Sequence, residues 1–361
     1  QISKGTLSNL LIKGHEEFHA EKEAVYEAGL ASSDYQHFDD TPTRFNGKNN
    51  YCHVICNLLY TAYFTRAGKD RLSVLDVLRQ GRKRIYLLNA EALAYLAGMP
   101  FSKETRRILE DWRSETVIEE ETFIHELDIR LPILNKQHRS AVLSAAAVAA
   151  YHAEHGVSIV QTLVCDDAPQ FKWLTRWLAL CWIHEGRHYK KLEPVVALHQ
   201  TLLKDFLTRF WAYYDQLLEY RQHPTEAEAS RLEAEFDALF GAPSGYAELD
   251  KRMASTFSNK GSLLLVLKFP ELPLHNNPAE LGARGRVRKR DVSFGPRTED
   301  GKQAWDTFMT LAATTKKLKV SFYEYVCDRI LKKNAIPPLA DLITKAAHEL
   351  MQGQPYSLAY P

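Results

Sequence analysis

A chain of 361 residues that is 45% hydrophobic and 25% charged has an ordinary globular composition, with enough apolar surface for a sizeable core and more than one substructure. Its net charge is only +1, which excludes a uniformly basic coat, so any nucleic-acid surface must come from the clusters at 82–84, 284–290 and 316–319. Five cysteines exclude a disulfide scaffold and point to a reducing, cytoplasmic setting, and no run approaches the roughly 18 to 20 apolar residues that cross a bilayer.

The chain opens on Gln1 inside what already reads as a helical region, so a further N-terminal segment is expected ahead of it. Residues 3–30 have helical spacing, with Leu7, Leu10, Leu11, Phe18 and Val25 as expected buried positions. From Tyr35 to Ala67 the period falls toward two, and Asn46-Gly47 between two such runs predicts a hairpin. Three strands are expected at about 35–43, 50–56 and 60–66, then a short helix over 71–80, a brief strand at 85–88 and helix over most of 90–155. The branched run 157–165, bounded by Gly156 and Asp166-Asp167, predicts a buried central strand, and 178–183 a further one. An aromatic-rich helix follows over 193–221. Thr225 and Glu228 open the next as a capping box, Gly241 stops it, and further helices fill 245–268. Residues 302–333 carry a helical apolar stripe with a break near Val320-Ser321.

Three acidic positions fall at the ends of elements. Asp39-Asp40 closes the first strand, Asp166-Asp167 closes the central one, and Glu280 opens a helix. Strand-end carboxylates in an α/β sheet face the crevice where ligands bind, and three of them from separate elements can hold two divalent ions. Hard oxygen donors select magnesium, with manganese as substitute. Each acid also has a plain explanation: turn chemistry for the doubled aspartates, and for Glu280 a capping box with Asn277 as N-cap and Pro278 as first helical residue. Cys181-Trp182-Ile183-His184, with Arg187 and His188 beyond, has spacing that could begin a zinc site. Structural zinc takes four protein ligands, and the rest would have to come from afar, such as Cys52 or Cys56, so zinc is the weaker reading. The aromatics of 206–220 read as core before they read as a base-stacking surface.

Taken in order, these segments resemble the transposases of insertion sequence 66. Asp39-Asp40-Thr41-Pro42 resembles that family's Asp-Glu-Thr-Pro block, 180–189 is similar to its Cys-x-x-His-x-x-Arg segment, and His275-Asn276-Asn277-Pro278-Ala279-Glu280 matches its Asn-Asn-x-Ala-Glu block. The Phe322 to Tyr325 region resembles its closing helix, and Ile2 to Leu11 the helical segment before its core. Two departures mark a divergent branch: the long helical insert before the central strand, and His188-Tyr189 in place of a more basic pair.

The resemblance implies an α/β fold: a ribonuclease H-like mixed-sheet core with large all-α insertions. The expected parts are an N-terminal helical segment (1–33), core (34–83), helical insertion (84–156), core (157–192), helical insertion (193–272) and a C-terminal catalytic helix with a helical tail (273–361). It implies a magnesium-dependent Asp39, Asp166, Glu280 triad that cleaves and joins double-stranded DNA at insertion-sequence ends, with the Asp39-Asp40 pair leaving open which member points inward. Arg284, Arg286, Arg288, Lys289, Arg290, Arg187 and His184 are the expected DNA contacts, and a homodimer or higher oligomer in the bacterial cytoplasm, at the nucleoid and away from membranes, is the expected assembly. Two rivals share the signature: a non-catalytic domesticated DNA-binding relative, and a ribonuclease H-like nuclease that cleaves without joining.

Overall fold

The computed structural model describes residues 3–352, so Gln1, Ile2 and 353–361, the ends of the first and last expected segments, lie outside the described residues. Its frame is a five-stranded mixed sheet. Strands β1 (Tyr35–Phe45), β2 (Lys48–Cys56) and β3 (Thr61–Arg66) form an antiparallel meander, while the two-residue strands β4 (Ile85–Tyr86) and β5 (Ile118–Glu119) pair separately within the helical insert. Strands β6 (Thr162–Cys165) and β7 (Trp177–Leu180) complete the sheet in the order β3-β2-β1-β6-β7, with β1, β6 and β7 mutually parallel.

The hairpin forms as its sequence predicts. Asn46 and Gly47 both take positive φ, 47° and 74°, the primed geometry whose twist matches the flanking strands. Pro42 is tolerated in β1 because β6 pairs only with Tyr35 to His37, leaving the rest of that edge without a ladder to interrupt. One sheet face, with Phe38, Ile55, Phe64 and Leu163, packs on the main core beneath the Glu16–Ala31, Arg71–Leu78 and Lys136–His152 helices. The other face, with Cys52, Val54 and Tyr63, receives the Asn277–Ser293 and Glu299–Lys317 helices. Residues 182–274 build a second core in which Phe206, Phe210, Tyr213 and Tyr214 pack with Trp182, Phe236 and Phe240. The helical aromatics are therefore mostly core, as their spacing predicts.

Several expectations need correction. Leu7, Leu10 and Leu11 are 53–61% exposed, because the Lys4–Ile12 helix buries no residue; Phe18 and Val25 are buried. The central strand starts at Thr162 rather than Val157, since Gly156 turns with φ 76° and of 157–161 only the Gln161 carbonyl bonds to the sheet, accepting from the Trp177 N–H. The strand expected at 178–183 ends at Leu180, and Trp182 starts a helix. The 193–221 helix begins at Ala197, and the stripe expected from Lys302 begins at Glu299, where Thr298 accepts from the Gly301 N–H. Each short basic cluster commits a member to the molecule itself: Arg84 pairs with Asp76 and Glu120, and Lys317 donates to the carbonyls of Asn57 and Tyr60, while Lys83, Lys316 and Lys319 stay exposed.

Arg286 is a larger correction, because it is 0% exposed and cannot lie on a DNA surface. Its guanidinium donates to Asp306 at 3.0 Å and to Thr65 Oγ1 at 2.6 Å, and lies 4.4 Å over the Trp305 ring. Asp306 in turn accepts from the Thr65 N–H and hydroxyl, so one ion pair ties both late helices to β3. Arg286→Met is expected to cost roughly 3–5 kcal/mol by stranding a buried carboxylate, read from urea unfolding, and Arg286→Met with Asp306→Leu should recover part of that loss.

Candidate active site

The sheet register brings the first two acids together. His37 pairs with Val164 across the parallel β1–β6 ladder, so two residues further along each chain Asp39 stands beside Asp166. Asp39 faces the same side of the sheet as its cross-strand partner Val54, the side covered by the Asn277–Ser293 helix. Asp40 takes the other side, opposite His53, where Gln170 Nε2 donates to its Oδ2 at 2.9 Å. Of the pair, Asp39 is therefore the member turned toward the helix that carries Glu280. Asp167 is engaged elsewhere, accepting from Asn259 Nδ2 at 2.9 Å with Lys172 Nζ at 3.5 Å.

Glu280 arrives from the opposite direction, and Asn276 determines where. Asn276 is buried, its Nδ2 donates to the Phe38 carbonyl at 2.7 Å, its Oδ1 accepts from His37 Nδ1 at 3.0 Å, and its backbone N–H points to Cys181 Sγ at 3.2 Å. The helix starts at Asn277 with Pro278 second, and its N-cap position is Asn276, whose side chain makes no cap bond. The expected capping box of Asn277 and Glu280 is thus absent: Asn277 is already the first helical residue, and the Glu280 carboxylate is committed to other side chains. Three small residues let the helix lie close. Ala279 and Ala283 are buried, and a Cβ on Gly282 would come within 2.7 Å of Val54 Cγ1.

Asp39 feels the charge of both other acids, although among the described residues the three do not offer ligand atoms all within 4.8 Å of one another. Burial, then the neighbouring Asp166 charge, push the Asp39 carboxyl up to about 7, with Asp40 and Glu280 adding to the rise against one backbone hydrogen bond from Asp40. Asp166 is raised as well, chiefly by burial, with His184 opposing. Each aspartate accepts a single backbone hydrogen bond, from Asp40 and Ala168 respectively, and among the described residues neither is ion-paired with a lysine or arginine. Open carboxylate oxygens held against mutual repulsion fit a hard divalent cation such as magnesium.

Glu280 differs from the aspartates in having a counter-ion. Arg187 binds both its oxygens, at 3.2 and 2.9 Å, His184 Nδ1 lies 3.6 Å from Oε1, and Arg284 reaches within 4.0 Å of Oε2. Arg187 and His184, expected on DNA, are thus turned onto the third acid. Cys181, His184 and Glu280 offer ligand atoms within 4.8 Å of one another. They suit zinc poorly, because burial pushes the Cys181 thiol up, away from the thiolate a zinc site needs, and Arg187 already occupies Glu280. Cys52 and Cys56 are buried in β2, outside that group.

Beyond Glu280 the helix sorts its cations by face. Arg284 is 65% exposed, Arg288 and Lys289 are exposed, and Arg290 folds back to donate to the Pro42 carbonyl at 2.6 Å. Sequence reasoning missed Asn276, His37 and Cys181 as the fastening of this site; the neighbouring Asn276-Asn277 pair was the available signal.

A profile described as the IS66 transposase family matches residues 141–304. The uncharacterized protein y4jO of Sinorhizobium fredii is similar as well, 32% identical over 322 residues that cover 89% of this chain and 99% of that protein. The chain belongs to the IS66 transposase family. No solved structure matches it. The profile spans Asp166, the Cys181–Arg187 segment and Glu280, while Asp39 and the hairpin lie before it. Asp39 therefore enters the site on structural grounds: its register beside Asp166 and the charges it feels.

A carboxyl raised from 3.8 to about 7 by folding contributes stability that is present below the unfolded value and lost as pH rises through the folded one. In a chelator, wild-type thermal stability relative to Asp39→Asn should therefore fall between about pH 4 and about pH 7. Parallel calorimetric curves for the two proteins across that window would show that Asp39 does not sit among converging charges.

Proposed function

We propose that this IS66-family protein is a catalytic transposase that cuts and joins DNA strands through Asp39, Asp166 and Glu280 on a ribonuclease H-like core. The observation that carries the reading is the convergence of three acids from separate elements on one sheet face, two by parallel register and one by the Asn276 fastening. An antiparallel meander continued by two parallel strands, in the order β3-β2-β1-β6-β7, supports the ribonuclease H-like assignment. In this reading the 84–156 and 193–272 blocks are insertions into that core, and the second block has hydrophobic packing of its own.

Asp39 and Asp166 would share a magnesium or manganese ion, and Glu280 would complete a second site. Bound there, the ions supply the charge that activates an attacking water or 3′-hydroxyl and stabilises the departing 3′-oxygen. With its carboxyl raised to about 7, chiefly by burial, Asp39 would hold a cation more readily as pH rises through that value. Arg284 and Arg288, one and two turns past Glu280, present exposed guanidinium groups along the track leading from the acids, and would hold backbone phosphates in register. DNA is the partner this surface fits, and pairing two element ends calls for at least two subunits. Among the described residues, no helix is long and apolar enough to cross a membrane.

Incubation with labelled element-end DNA and magnesium tests the reading: nicking followed by joining is expected. Binding without nicking would support the non-catalytic rival, and nicking without joining the nuclease. Glu280→Gln should abolish nicking while retaining DNA affinity. Arg284→Ala and Arg288→Ala should each weaken binding across sequences and lower the salt slope by about one; an unchanged slope would remove those contacts from the proposal.

A further inference from the structure

Glu280 is the one acid of the three that the protein already neutralises. Arg187 grips both its oxygens, and the pair is asymmetric in depth, with the Glu280 side chain 11% exposed and the Arg187 side chain 41% exposed. The guanidinium also donates to His184 Nε2 at 3.2 Å. Arginine has only donors, so that nitrogen carries no proton and the imidazole proton lies on Nδ1, the atom turned toward Glu280. Arg284 stands at 4.0 Å from the other oxygen. One half-buried carboxylate therefore separates two arginines that would otherwise repel each other at the mouth of the site.

We infer that Arg187 is a displaceable counter-ion: a divalent cation takes Glu280 only as Arg187 lets go, and the freed guanidinium, next to Arg284, captures a DNA phosphate. The inference rests on the reading of Glu280 as a metal ligand and adds the order of events. A cation entering between Asp39 and Asp166 meets no resident competitor among the described residues, whereas one entering at Glu280 must displace a bidentate ion pair. Release costs little backbone motion, because Arg187 is a long side chain, partly in solvent, on a short helix. Once Glu280 is withdrawn, two adjacent guanidinium groups have no anion, and a phosphodiester is the planar-fork partner they suit. Cation loading at Glu280 and DNA binding then favour each other by the same factor, as linkage requires.

Manganese titration followed by the paramagnetic resonance signal of the free ion tests this without any turnover. The wild-type protein should show a tighter class of site and a weaker one, and a short DNA duplex should tighten the weaker class. Arg187→Gln should tighten the weaker class about tenfold without DNA, the scale of a partly exposed bidentate ion pair, and should lose most of the tightening by DNA. Arg187→Lys, which keeps the charge and loses the fork, should fall between. Glu280→Gln should lack the weaker class in every background. Loss of the tighter class in Asp39→Asn, together with an Arg187→Gln titration that superimposes on wild type, overturns the exchange and leaves the metal reading standing. A wild-type protein that binds no manganese, or an Asp39→Asn protein that binds it normally, overturns the metal reading and the exchange with it.

Discussion

The candidate centre depends on Asn276. A buried amide that donates to the Phe38 carbonyl and accepts from His37 joins a late helix to the first strand, and its backbone N–H reaches Cys181 at the end of the last strand. Each such bond contributes about 1 kcal/mol net, but an unpaired buried amide costs about 1–3, so the three are enforced together. His37 supports the arrangement by staying neutral, since burial lowers it to about 3, and Asn276 Oδ1, which can only accept, places its one imidazole proton on Nδ1. An amide fastened to the sheet cannot also cap its own helix. The Asn277-to-Glu280 spacing, which read as a capping box, fails for its own reason: the helix already begins at Asn277, and the Glu280 carboxylate meets side chains of the site.

The site then carries a cost that the rest of the fold opposes. Carboxylates are held on one partly buried face, and burial above all, with neighbouring acid charge added, raises Asp39 and Asp166. Close packing of the late helix forces the acids together, through Gly282 against Val54 and through the Arg286–Asp306 pair locked to Thr65. The second core contributes from the other flank. Trp182 is buried in it, donates from Nε1 to the Leu263 carbonyl, and has its backbone N–H on the Leu274 carbonyl. Gly186 lets the same helix press against Trp211. The helical block beyond β7 therefore sets where His184 and Arg187 stand, and it shapes the charge balance of the acids.

Local chemistry in the sequence carried most of the strands and the hairpin, because each depends on near neighbours, a turn dipeptide or a branched run; Asp166 does follow a strand end, but Asp39-Asp40, expected to close the first strand, lies within β1, which pairs with β2 as far as Phe45. Non-local partners were not legible. Nothing near Arg187 announces a pairing with a residue 93 positions later, and nothing near Asn276 announces His37. Leu7, Leu10 and Leu11 have helical spacing, but spacing predicts a stripe and does not say whether anything covers it. The short β6 misled for a related reason, since Val157 to Val160 fit a strand and simply lack a ladder.

Arg286 could have been placed by a stricter use of helical period. Residues 280, 284 and 288 are spaced by four and stay near one face, whereas 286 lies two residues, about 200°, from 284 and so turns to the opposite side. That side is lined by Ala279, Gly282 and Ala283, small residues that bring the helix backbone onto the sheet, and a long cation there must reach past them to a buried acid. Asp306 supplies it. The basic run after Glu280 is therefore two features written in one stretch of sequence. An inward arginine fastens the helix to β3, and outward arginines line the approach to the acids. Their separation by angle lets one helix both hold Glu280 in place and present charge to a phosphate backbone.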